Sequence, residues 1–88
     1  MKRSADFLLR QVAGSQVLVP VGAATKKFPG MIRVNDTGCY LWELLETEQT
    51  RETLTKALLT RYEVTAEQAA QDVDAFADKL IPTGAVEA

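Results

Sequence analysis

The side chains that most often carry catalysis are scarce in this chain. It has no histidine and one cysteine, Cys39. A cysteine nucleophile needs a base to take its proton, and the usual zinc sites need several nitrogen or sulfur donors. Neither a Cys-His dyad nor a common zinc set can therefore be assembled. No Gly-rich phosphate loop of either familiar spacing is present. The 12 acidic residues leave carboxylate chemistry open, but most fall at helical surface spacings, where solvation accounts for them. No cofactor is implied. What remains is binding, and the backbone is the best candidate to do it. The short apolar run Met31-Ile32-Arg33-Val34 reads as a strand without proline and with one charge. Such a strand at the margin of a sheet offers unpaired N–H and C=O groups to an extended partner.

Composition narrows the classes further. At 88 residues the chain fits one domain, residues 1–88. A domain of this size buries only roughly 60–65% of the surface its unfolded chain exposes, so its stability is modest. The hydrophobic share of 47% and charged share of 25% are those of a folded globular protein. The net charge of −2 and pI near 5.0 supply no basic stripe for phosphates, which argues against nucleic acid. The apolar runs are too short to span a bilayer, and Met1-Lys2-Arg3 is not followed by a signal-peptide core. A lone cysteine excludes an internal disulfide, and a cytoplasmic location is expected.

The elements that would position the strand follow from periodicity. Asp6 to Val12 and Gln16 to Val21 read as two strands joined by Ala13-Gly14-Ser15, where Gly14 supplies positive φ. Pro20 must sit near the second strand's end, because it has no N–H for a ladder. Gly22 to Gly30 reads as a loop. In the third strand, Met31 to Val34, alternation puts Ile32 and Val34 on one face and Met31 and Arg33 on the other. Three helices are then expected. The first runs from Thr37 to about Glu46 behind an Asn35 or Asp36 cap, with Leu41, Leu44 and Leu45 as its stripe and Tyr40 and Trp42 at the margins. The second runs from Arg51 to about Tyr62 behind Thr50, with Leu54, Leu58 and Tyr62 on one face. Thr65 starts the third, and Gln68 stands at capping-box spacing. Its stripe is Ala66, Ala69, Ala70, Val73, Phe76, Ala77 and Leu80, and it ends at Ile81-Pro82-Thr83-Gly84. Short links between the strands imply an antiparallel meander, which makes the third strand an edge.

Several of these pieces resemble one family. Val34 to Leu45, VNDTGCYLWELL, resembles the turn-plus-helix signature of PqqD-like proteins, also called RiPP recognition elements. Val17-Leu18-Val19-Pro20-Val21-Gly22 resembles that family's second strand, and Leu58-Leu59-Thr60-Arg61-Tyr62-Glu63-Val64 the end of its second helix. Asp72-Val73-Asp74-Ala75-Phe76 and Leu80 resemble its third helix. The resemblance covers nearly the whole chain in order.

The resemblance implies an α+β, winged-helix-like fold: a three-stranded antiparallel sheet followed by three helices. It implies a non-catalytic role, binding the leader segment of a ribosomally made precursor peptide for a modifying enzyme, often a radical SAM enzyme. The leader would add as a strand to Met31, Ile32, Arg33 and Val34, in a cleft walled by the third helix through Ala69, Asp72, Val73 and Phe76. Asp72, Asp74 and Asp78 give that helix an acidic side, a weak attraction for basic leader residues or simply a solvated face. Two rivals remain: a winged-helix DNA binder, and a homodimer paired through the open edge. Charge disfavours the first, since Ala66 to Leu80 carries Glu67, Asp72, Asp74 and Asp78 against Lys79 alone. At physiological salt the purified chain is expected to leave duplex DNA unshifted in a gel and to pass through heparin unretained. A saturable, salt-sensitive complex would restore the DNA-binding reading.

Overall fold

The computed structural model describes all residues from Met1 to Ala88. Strand β1 (Lys2–Arg3) is followed by β2 (Phe7–Val12), β3 (Ser15–Pro20) and a one-turn helix α1 (Ala24–Lys27). Next come β4 (Ile32–Val34), α2 (Asp36–Leu44), α3 (Arg51–Arg61), α4 (Ala66–Leu80) and β5 (Val86–Glu87). The strands β2-β3-β4 form an antiparallel three-stranded sheet in that order, and β1 pairs with β5 in a separate two-stranded one. The fold is α+β, as the strand and helix periodicities imply.

The sheet's register starts at its first turn. Val12 pairs with Ser15, so the hairpin loop is the two residues Ala13-Gly14. Both have positive φ, 51° and 81°. That is the type I′ pattern, whose twist matches the flanking strands. The turn is one residue tighter than the sequence suggests, because alanine gives no signal for a left-handed conformation. From this turn, side chains alternate. Phe7, Leu18 and Ile32 point inward and are buried, whereas Leu8, Arg10 and Arg33 point outward and are exposed. Pro20 closes β3 opposite Phe7, beyond the last rung that β3 shares with β4, so its missing N–H breaks no bond in that ladder.

The helices form where capping groups meet apolar stripes. Asn35 caps α2, its side chain accepting from the Gly38 N–H at 2.8 Å. Thr50 caps α3 in a reciprocal box with Thr53, satisfying two otherwise orphaned donors. Thr65 caps α4 by accepting from the Gln68 N–H at 3.0 Å. The Gln68 amide reaches forward to Asp72 at 2.8 Å instead of back, so only half of the expected box forms.

One core joins the sheet to the helices. Leu18, Leu41, Leu45, Leu54, Leu58, Val73, Leu80 and Val86 are fully buried. Each such side chain contributes about 1.5–3 kcal/mol of hydrophobic free energy. Trp42 is also in the core, 3% exposed, while Leu44 is only half-buried. The margin and stripe expected for α2 are thus exchanged at these two positions. The ends of the chain add a clasp that two-residue strands could not announce by periodicity. Arg3 pairs with Val86, its backbone N–H donates to the Leu45 carbonyl at 3.0 Å, and its guanidinium donates to the Trp42 carbonyl at 3.2 Å. The expected loop after β3 likewise holds α1, whose Ala24 is buried. No helix is long and apolar enough to cross a membrane.

Ala13 carries the cost of a left-handed conformation without glycine's freedom or asparagine's local hydrogen bonding. Ala13→Asn, which creates Asn-Gly at the turn, is expected to raise unfolding free energy by about 1 kcal/mol. Urea denaturation with unchanged slope checks it.

Candidate functional site

Ladder geometry decides which backbone groups are free. In an antiparallel pair, successive residues point their N–H and C=O alternately toward and away from the partner strand. A two-residue hairpin closes on a hydrogen-bonded pair, here Val12 and Ser15. Ser15, Val17 and Val19 therefore face β2, and Gln16 and Leu18 face β4. Gln16 pairs with Val34 and Leu18 with Ile32. Arg33, opposite Val17, is left with both its N–H and its C=O on the open edge of the sheet. The structure carries an independent sign of this: the Arg33 carbonyl accepts a hydrogen bond from Lys79 Nζ, on α4, at 2.8 Å.

Between that edge and α4 lies a cleft of about 190 Å³. Leu41, Phe76 and Leu80 make its apolar floor. Arg33, Val34 and Asn35 form one wall, and Asp72, Ala75 and Lys79 the other. The volume is below that of sites enclosing cofactor-sized molecules, typically about 300–1,000 Å³. It suits one or two side chains of an extended peptide. A larger hollow of about 520 Å³, between β2 and α2, is more open and is rimmed by Lys2 and Arg3 from the start of the chain and by Glu43 and Glu46 at the end of α2.

The expected site residues divide. Arg33, Val34, Asp72 and Phe76 line the cleft together. Ile32 is buried and turned into the core, and Met31 is 59% exposed just before β4, outside the cleft. Ala69 and Val73 have no exposed surface at all and pack in the core behind the wall. Ala75, Lys79 and Gly38 also reach the cleft; Ala75 lies within the helix segment expected to wall it, and Lys79 and Gly38 lie outside the expected strand and helix segments. Two of them have a sequence signal: Lys79 flanks the α4 stripe, and a glycine at the start of a helix, Gly38, permits a close backbone approach.

The acidic side of α4 is largely occupied elsewhere. Arg51 of α3 bridges Asp74 at 2.7 Å and Asp78 at 3.2 Å, tying the two helices together. Only Asp72 of the three carboxylates lines the cleft. On the α4 wall Lys79 stands against that one acid, so the cleft has no acidic excess to attract a basic ligand. Cys39 is half-buried, and burial followed by the nearby Asp36 and Glu43 carboxylates pushes its thiol up. It is held as the poorly nucleophilic thiol. No group of three or more His, Cys, Asp or Glu side chains is arranged to hold a metal ion.

Against known proteins, residues 15–86 match the model of the family described as coenzyme PQQ synthesis protein D, PqqD. This chain belongs to the PqqD family. No curated protein matches it. A solved structure described as TbiB1 in complex with the TbiA(beta) leader peptide has the same fold, with a TM-score of 0.74 at 21% identity. The likeness covers 99% of this chain and 95% of that one.

In this PqqD-family chain the cleft exists because α2 approaches β4 closely, and Gly38 permits the approach. A Cβ there would collide with Val34 Cγ1 and press on Asn35 Oδ1 at 3.2 Å. Valine is stiff at χ1 and cannot swing clear cheaply. Overpacking costs about 1–3 kcal/mol, against about 1 kcal/mol gained by replacing glycine in a helix. Gly38→Ala is expected to lower stability by about 1 kcal/mol and to displace the backbone amide signals of Val34 and Asn35 in an NMR spectrum. An unchanged spectrum would contradict the close approach.

Proposed function

We propose that this chain binds the leader segment of a ribosomally made precursor peptide as an added strand on β4, and performs no chemistry itself. Residues 1–88 would act as one cytoplasmic leader-binding domain that presents the peptide to a modifying enzyme of the radical SAM type. The observation that carries the reading is the unpaired Arg33 edge facing an apolar-floored cleft. Two comparisons support it. The chain is a PqqD-family member, and its fold is shared by a protein described in complex with a leader peptide.

An extended peptide beside β4 would exchange N–H and C=O bonds with Arg33. Its alternate side chains would then enter the cleft toward Leu41, Phe76 and Leu80. Main-chain bonding supplies affinity for any extended segment, and the small apolar floor selects among side chains. Holding the leader raises the effective concentration of the attached core peptide at an enzyme docked on the same domain.

Backbone recognition calls for a backbone test. Arg33→Pro removes the outward N–H and places a ring in the path of the added strand, while Arg33 makes no rung with β3 to lose. Gln11→Pro is the matched control, because Gln11 faces the opposite open edge, on β2. Titrated with the synthetic leader of a candidate precursor peptide, Arg33→Pro is expected to bind at least tenfold more weakly. Gln11→Pro and Arg33→Ala should bind within a factor of about three of the parent. Circular dichroism confirms that each variant folds. Loss with Gln11→Pro and not Arg33→Pro would move the leader to β2, and no saturable binding by the parent would remove the reading.

A further inference from the structure

We infer that Lys79 and the Arg33 carbonyl form a carboxylate-reading subsite of the cleft, closed by a lysine latch in the free protein and opened by an acidic leader residue. The inference rests on the proposed leader binding and names one feature of the ligand that the binding would select.

The latch is a single hydrogen bond. Lys79 Nζ reaches from α4 to the Arg33 carbonyl at 2.8 Å, across the mouth of the cleft. That carbonyl is the outward acceptor an added strand would use. Unpaired strand edges invite pairing with another chain, and a lysine laid on the edge hinders it. The bound lysine therefore opposes indiscriminate addition, including addition of a second copy through its own β4.

Lys79 makes no ion pair in the structure. Positions three and four residues away on α4 and beyond it are Ala75, Phe76, Pro82 and Thr83, none of them acidic. Asp72 lies seven residues earlier, about 10 Å along the helix axis, and is engaged by Gln68. Asp74 and Asp78 are bridged to Arg51. When a peptide N–H takes the Arg33 carbonyl, the ammonium is left beside the new strand without a counter-charge. A Glu or Asp of the peptide pointing into the cleft beside that N–H would restore a charge-assisted bond. A neutral peptide would displace the latch and receive nothing in return.

The two states give opposite signs for one substitution, and that makes the test sharp. Lys79→Met keeps the aliphatic stem and removes the ammonium. The probes are the same synthetic leader peptide and the set of its single Glu→Gln and Asp→Asn variants, titrated at low and physiological salt. For the parent leader, Lys79→Met is expected to weaken binding about fivefold, the range of a partly exposed ion pair. For the one variant that lacks the read carboxylate, Lys79→Met should bind as well as or better than the unsubstituted chain, because no latch has to open. Parallel losses for every peptide, or equal binding by both proteins, would overturn the subsite while leaving leader binding in place. So would a leader with no acidic residue in its bound segment. Failure of the unsubstituted chain to bind the leader would overturn both.

Discussion

Strand pairing has a period of two, and one register decision therefore governs this molecule. The two-residue turn at Ala13-Gly14 makes Val12 and Ser15 a hydrogen-bonded pair. From that pair, alternation fixes which groups of β3 face β4, and hence that Arg33 turns its N–H and C=O out of the sheet. The same alternation sends Phe7, Leu18 and Ile32 into the core. A slip of one residue would bury Arg10 and Arg33, expose Leu18 and turn Ile32 and Val34 to the edge instead. Burial of the sheet's inner face thus protects the register that frees the Arg33 backbone as well as the fold.

The helices convert that free edge into a cleft. α4 is held at its distance by a buried stripe, Ala69, Val73, Phe76, Ala77 and Leu80, and on its other side by the Arg51 bridges to Asp74 and Asp78. The bridges are exposed and worth little individually, so the stripe does most of the holding. Gly38 lets α2 close the floor beneath β4. The features of the cleft are therefore by-products of core packing, with Lys79 added at its mouth.

Much of this was legible in the sequence, for physical reasons that differ by element. The α4 stripe and the Thr50 and Thr65 caps are strong local signals and appear in the structure, except that Ala66, at the first turn of the helix, is exposed and Ala70 is only half-buried. The third strand and its edge position followed from a short meander. What escaped was structure without periodicity: the β1–β5 clasp, the single turn α1, and the Ala13 half of the turn. The site was legible only in part. A stripe reports which α4 residues are apolar but not how deep each lies, so Ala69 and Val73, expected at the cleft, are sealed behind it. The acidic side of α4 is exposed, as a solvated face would be, but its pairing with Arg51 could not be read locally, because Arg51 is 23 and 27 residues away from Asp74 and Asp78 in sequence.

The central claim is that Arg33 offers its backbone to an incoming strand, and amide hydrogen exchange at that residue addresses it directly. In the free protein the Arg33 N–H should exchange rapidly while Ile32 and Val34, bonded to β3, are protected. Saturating leader peptide should slow Arg33 by at least tenfold and leave its two neighbours nearly unchanged. Protection of Arg33 before any peptide is added, or no change at Arg33 when peptide is bound, would contradict the account.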